Sequence, residues 1–130
     1  MNRMRAFAAA VLGLVVLASC DPSSETSQPT VANRSPGVLI VSYAPDSTDT
    51  FPAPKVDSLL ALEWLQIYAN SRGLDISTRQ YAFGDLLIHI GPRRSGDRGD
   101  WFYTVNGQMA TEAVSKLRVS RTDTLEFTFK

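Results

Sequence analysis

The sequence predicts an α+β domain: one helix packed on a mixed or mostly antiparallel sheet of four to five strands, preceded by segments outside that fold. Three observations predict it. Val38-Leu39-Ile40-Val41-Ser42-Tyr43 is a β-branched, apolar run between Gly37 and Pro45; one stretch, from residue 57 to Gly73, repeats its apolar residues at helical spacing; and beyond it the hydrophobic period falls to two. A lone helix must bury its apolar stripe against something, and the sheet is the surface on offer.

In chain order, the run at 38–43 reads as a well-buried first strand, followed by a polar, proline-bearing loop from Ala44 to Lys55. Asp57 or Ser58 then offers a capping oxygen, and Leu60, Ala61, Trp64, Leu65 and Tyr68 recur until Gly73 supplies the stop. Leu86, Ile88 and Ile90 alternate with Leu87 and His89, and Trp101, Tyr103 and Val105 alternate with Phe102 and Thr104. Both segments are expected as strands. Leu125, Phe127 and Phe129 against Glu126, Thr128 and Lys130 give the cleanest alternation, one face in and one out. Between these strands, Gly91–Asp100 is polar and glycine-rich and is expected as an exposed loop, while Asn106-Gly107 is the strongest tight-turn signal, both residues accepting positive φ.

The first 36 residues follow a different plan. Arg3 and Arg5 precede an apolar run from Ala6 to Leu17, which ends in Leu17-Ala18-Ser19-Cys20. The run has about 12 residues where a membrane span needs about 20, so it reads as the core of a secretory signal. Leu-Ala-Ser-Cys resembles the bacterial lipobox, which implies a signal peptide over 1–19, lipidation at Cys20 and cleavage before it. Cys20 is the one cysteine, so no intramolecular disulfide is available to compete for the thiol. Two acyl chains suffice for stable anchoring where a single chain is marginal. Residues 20–36 carry almost no large apolar side chain and read as a disordered tether, its segment after the cysteine spanning about 20 to 25 Å by flexible-chain scaling. The expected location is the bacterial cell envelope, anchored to the inner or the outer membrane. Without Arg3 and Arg5, 13 basic residues become 11 against 13 acidic ones, which gives no electrostatic reason to expect nucleic acid as a partner.

Residues 37–130 also carry a resemblance. Asp57-Ser58-Leu59-Leu60 at the helix start, Gly84-Asp85-Leu86-Leu87-Ile88, Trp101-Phe102-Tyr103-Thr104-Val105-Asn106-Gly107 and Asp123-Thr124-Leu125-Glu126-Phe127 are together similar to the transcobalamin-like C-terminal domain, catalogued as DUF4430. The resemblance implies a β-grasp-like sheet and a general ligand-binding role. This chain has Thr122-Asp123 where that family usually has Gly-Asp, and Phe127 where it has tryptophan. In such proteins the domain covers one face of cobalamin while a large helical domain holds the other, so 94 residues supply at best half of such a site.

Several residues invite a chemical reading. Trp101 and Tyr103 can stack on a flat ligand, although sharing a face with Val105 favours core packing. Asn106 can offer its amide to a ligand, although its place at the first position of a tight turn is reason enough for it. Arg93, Arg94 and Arg98, with Asp97 and Asp100, can receive an anion or a protein, or simply be a solvated tip. Arg98-Gly99-Asp100 spells the integrin tripeptide, a match short enough to arise by chance. His89 is the one histidine, with no serine or cysteine nucleophile marked beside it. No metal-ligand spacing, phosphate-cradling glycine loop or nucleophile elbow appears, so no enzyme, metal or cofactor is expected. Two readings of function remain. One is a tethered module whose loops at 91–100 and 106–112 hold a small ligand, a cobalamin-like compound by resemblance, or a glycan; it predicts exposed aromatics among residues 81, 83, 101, 102 and 103. The other is a scaffold that docks an envelope protein by lending it a sheet edge.

Overall fold

The computed structural model describes residues 35–130. The signal segment, Cys20 and all but the end of the tether therefore lie outside the described residues. Among the described residues no helix is long and apolar enough to cross a membrane.

The elements run β1 (Val38–Ala44), β2 (Ser47–Pro52), β3 (Ser58–Leu60), α1 (Ala61–Arg72), β4 (Ile76–Tyr81), β5 (Gly84–Ile90), β6 (Arg93–Arg94), β7 (Trp101–Val105), β8 (Gln108–Met109), β9 (Arg118–Ser120) and β10 (Thr124–Phe129). This is an α+β fold built on a mixed five-stranded sheet in the order β2-β1-β10-β7-β8, with smaller sheets β3-β9 and β4-β5-β6. Only β1 and β10 run parallel, at the middle of the large sheet. The last strand is thus inserted beside the first. One face of that sheet sends Leu39, Val41, Trp101, Leu125, Phe127 and Phe129 into the core, where they meet Trp64, Leu65 and Tyr68 of α1, and Leu87 and Ile90 of β5. The core residues named here all lie within the compact unit Arg34–Lys130.

Four sequence expectations are corrected by the structure. The polar loop expected at 44–55 contains β2, which folds back on β1 with Thr50 opposite Ile40 and Phe51 opposite Leu39. Only Asp49 and Phe51 of β2 face inward, so an edge strand this polar shows little periodicity. The helix begins at Ala61 rather than after Asp57 or Ser58, because Ser58–Leu60 is taken up in pairing with β9. Its entry is satisfied by Glu63, whose carboxylate accepts the Leu60 N–H at 2.8 Å. Its exit matches expectation: Gly73 adopts φ 65° and Leu74 N–H returns to Ala69 O at 2.8 Å. In β5 the alternation is broken by a bulge at Ile88, opposite Ser77/Thr78, which puts Leu87 and Ile90 in the core and leaves Leu86 exposed. Finally, the loop expected at 91–100 starts with a tight turn into β6, which pairs His89 with Arg94.

Candidate functional site

The arginines expected to receive an anion stand at one end of the large sheet. All three are exposed, but Arg93 is already engaged: its Nε donates to Tyr43 O at 3.1 Å and its guanidinium lies 5.5 Å from the Phe129 ring centre. The segment behind it is pinned by its own backbone. Ser95 N–H donates to Ile88 O at 2.7 Å, and Asp100 and Lys130 exchange hydrogen bonds at 2.8 and 3.0 Å, continuing the β7–β10 ladder. Asp100 is held in that ladder, so Arg98-Gly99-Asp100 is not a free loop tip. His89 Nε2 donates to Gly91 O at 2.6 Å, closing the β5–β6 turn.

Asn106 sits at the opposite end of β7, so the structure does not bring the arginines and this asparagine into one site. Asn106 takes φ 52° and Gly107 φ 80°, the paired left-handed turn that closes β7 on β8. Both ends of its side-chain amide are engaged as well. Nδ2 donates to Asp123 Oδ1 at 2.9 Å and Oδ1 accepts Thr124 N–H at 2.9 Å, while Asp123 Oδ2 accepts Ser120 N–H at 2.7 Å. Trp101 is buried, its ring edge-on to Tyr43 and Phe129 and its indole N–H donating to Arg93 O at 3.1 Å. Tyr103 is half-buried against Phe127 and donates its hydroxyl to Glu112 O. Burial, with the Glu112 charge adding to it, pushes the Tyr103 phenol above its ordinary range.

What is left unengaged lies at the Asn106 end. Tyr81 and Phe83 flank the β4–β5 turn with rings stacked at 5.2 Å and 6°, and Phe83 is 58% exposed. The tip is fixed in place: Asp85 N–H donates to Ser115 Oγ at 2.8 Å, and a Cβ on Gly84 would come within 2.7 Å of Ala113 Cβ, so only glycine fits there. The same segment, through Leu117, helps line an open groove of about 450 Å³ with Val105, Gln108, Met109 and Glu112. Met109 is 57% exposed. The aromatic tip and the groove therefore flank one turn, 113–117. Of the five aromatics expected to decide the question, Tyr81, Phe83 and Phe102 are exposed and Trp101 and Tyr103 are not. The sequence marks Tyr81 and Phe83 as aromatics to check for exposure without assigning them a ligand contact; an aromatic on each side of a hairpin turn next to glycine is the signal that singles them out.

A polar network also escaped it. Tyr43 and Tyr68 hydroxyls meet at 2.7 Å, Tyr68 donates to Asp49 Oδ2 at 3.1 Å, and Arg72 Nε reaches the same oxygen at 2.8 Å. Burial raises both phenols, with Tyr43 and Asp49 adding to the effect at Tyr68 and the Tyr68 hydrogen bond opposing it at Tyr43, and the Arg72 guanidinium holds the Asp49 carboxyl below its ordinary value. These groups join α1 to the β1–β2 hairpin; the residues are 25 and 19 positions apart along the chain, which hides the network from a linear reading.

Residues 74–130 match the family model described as Domain of unknown function (DUF4430). The match opens one residue past the Gly73 stop, so it covers β4 to β10 and leaves β1, β2, β3 and α1 outside, a narrower span than the expected 37–130. No curated protein matches the chain. Solved structures extend the likeness beyond that span. A protein from Ruminococcus gnavus ATCC 29149, provisionally described as metal binding, superposes with a TM-score of 0.54 at 15% identity, over 73% of this chain and 95% of that one. Haptocorrin in complex with Cbi superposes with a TM-score of 0.58 at 10% identity, over 72% of this chain and 25% of haptocorrin. At such identities the likeness is one of fold. Among the described residues no three His, Cys, Asp or Glu side chains gather as a metal site would require.

Proposed function

We propose that this chain is a lipid-anchored module of the bacterial envelope that binds a ring-shaped ligand with a flat face at the end of the domain formed by Tyr81, Phe83, Met109 and the groove beside them. The observation that carries the reading is the stacked Tyr81–Phe83 pair: two aromatic rings held in solvent on a tip that hydrogen bonding and close packing make rigid. Rigid exposed aromatics lose little conformational entropy when a ligand covers them, and each aromatic contact adds about 0.5 to 1.5 kcal/mol beyond area burial. A corrinoid is the first ligand to test, because haptocorrin shares the fold and is known in complex with Cbi. Since the match spans a quarter of haptocorrin, this chain would supply one wall of such a site.

The test is titration of Arg34–Lys130 with cobinamide and cobalamin, followed by the corrin visible spectrum and by calorimetry. Saturable binding at micromolar concentration or tighter, lost in Phe83→Ala, supports the reading; no spectral shift and no heat at millimolar corrinoid sinks it for this ligand class. The anchor is tested separately. Cys20→Ser should release the protein into the soluble fraction, and an unchanged membrane fraction would remove the lipid from the proposal.

A second reading, docking of an envelope protein, is favoured by β4, whose outer edge closes the three-stranded sheet with no described strand beside it.

A further inference from the structure

The outer edge of β4 is complementary to a second copy of itself. Alternation along an antiparallel ladder fixes which backbone groups that edge offers. At one end Gly91 N–H donates to Asp75 O at 2.8 Å, and at the other Tyr81 faces Gly84 across a two-residue turn, so Asp75, Ser77, Arg79 and Tyr81 turn their backbone groups toward β5. The extra residue of the bulge, Ile88, belongs to β5, so the alternation of β4 itself is unbroken. Ile76, Thr78 and Gln80 therefore direct their N–H and C=O groups outward, where no described strand receives them.

Two copies related by a two-fold axis can join these edges only where outward-facing residues meet one another, which leaves a choice of centre. Centred on Ser77, Ile76 lies opposite the partner's Thr78 and exchanges both backbone hydrogen bonds with it, and Asp75 lies opposite the partner's Arg79, each contact occurring twice. Centred on Thr78, Arg79 meets a serine and no charges pair; centred on Arg79, two guanidiniums stand directly opposed. Centred on Ile76, Thr78 falls opposite Leu74, whose N–H is already given to Ala69 O. The Ser77 register alone matches opposite charges, and it sets them at non-hydrogen-bonded positions, where side chains on neighbouring strands come closest. Asp75 and Arg79 are both exposed, and neither takes part in an ion pair among the described residues.

We propose that β4 pairs antiparallel with β4 of a second copy about Ser77, joining two three-stranded sheets into one, with Asp75 and Arg79 each facing the opposite charge of its partner. This commits the docking edge named above to a copy of this chain and rests on that reading, not on the corrinoid one. On the side of the sheet that carries Ile76, the partner's Gln80 falls opposite Leu74, at a groove of about 370 Å³ lined by Gln66, Asn70, Leu74 and Ile76, whose two amides can bond it. The symmetric contact uses one edge from each copy and closes at two. A six-residue strand is about 20 Å long, a contact well short of a standard interface, so the dimer is weak.

The experiment is a dilution series of Arg34–Lys130 from about 2 mM to 10 μM, read by amide NMR shifts and rotational correlation time. The parent should dimerise with a Kd of about 1 mM or below, with the shifts confined to β4 and the groove beside it. Asp75→Arg and Arg79→Asp each set like charges opposite one another and should weaken the dimer by about tenfold or more. An equimolar mixture of these two variants should recover it, because each copy then meets the opposite charge at both positions. Thr78→Pro removes an outward N–H that the β5 ladder does not use, and should abolish pairing in a folded domain. Proline closes the edge to every partner whereas the charge reversals spoil self-pairing alone, so this proposal and the docking reading fail separately. A parent that stays monomeric at 2 mM, a dimer untouched by either reversal, or a mixture no tighter than its components would each overturn the proposal.

Discussion

The two ends of β7 make an instructive pair. At the Trp101 end, the residues most conspicuous in the sequence turn out to hold the fold: Arg93 ties β6 to β1 and lies against Phe129, and Trp101 closes the core beneath it. At the Val105 end the same is true of Asn106, whose amide joins the β7–β8 turn to the approach of β10. The ends differ in what remains afterwards. One presents Arg94 and Arg98 on a segment locked by backbone bonds, whereas the other presents a stacked aromatic pair and Met109 beside an open groove. Hydrogen-bonding groups are expensive to leave unpaired and are therefore absorbed by the structure. Exposed apolar rings have no such use, and so they are the better pointer to a ligand.

The comparison breaks first at Asn106. Asn106→Ala removes two side-chain hydrogen bonds and puts alanine at φ 52°, which together should cost about 2 to 3 kcal/mol of stability in urea unfolding. A change under about 0.5 kcal/mol would mean the amide is not structural and belongs after all to a ligand site. Gly99 gives the matching test at the other end, since a Cβ there would lie 2.8 Å from Phe129 Cε1 and 3.2 Å from the Lys130 backbone. Gly99→Ala should destabilise by about 1 to 3 kcal/mol through overpacking, with corrinoid binding retained by the folded fraction.

A smaller effect should appear only at alkaline pH. The Tyr43 and Tyr68 phenols titrate higher in the folded state than their ordinary value of about 10. Their contribution is therefore whole below that pH and is lost as pH rises through and beyond it, because the unfolded chain gives up its phenolic protons first. Asp49 works in the other direction. Its carboxyl is held low, so its share is present at neutral pH and lost as pH falls below about 4. Unfolding midpoints measured from pH 7 to 11 should fall less steeply in Tyr68→Phe than in the parent, and parallel curves would show that the network does not couple to folding.

How much of this could be read from the chain depended on how local each cause was. The turn at Asn106-Gly107, the stop at Gly73 and the alternation of β10 are set by residues within a few positions of one another, and all three stand where the sequence placed them. The bulge at Ile88 and the pairing of Ser58–Leu60 with β9 depend on partners distant in sequence, Ser77 and Thr78 in one case and Arg118–Ser120 in the other. No period within 84–90 or 57–61 encodes them. The candidate site was legible in the same partial way: its aromatics were named as the residues to watch, but whether an aromatic beside a turn is buried depends on what packs over it. Trp101 is covered by Phe129 and Tyr43, whereas the Tyr81–Phe83 pair has only its own stacking.

The smallest expected change is the most discriminating. Phe83 is more than half exposed and its one aromatic partner is Tyr81, so Phe83→Ala removes little buried area and should move the unfolding free energy by no more than about 0.5 kcal/mol. If the ring serves the fold, stability drops and any loss of binding follows from unfolding. If it serves a ligand, stability holds while corrinoid affinity falls by about tenfold, the size expected when a stacking partner worth about 1.4 kcal/mol is removed. Measuring both quantities on one variant separates the two causes. A Phe83→Ala protein that keeps its urea midpoint and its affinity would leave the stacked pair without a role in either, and the contrast between the two ends of β7 would lose its functional half.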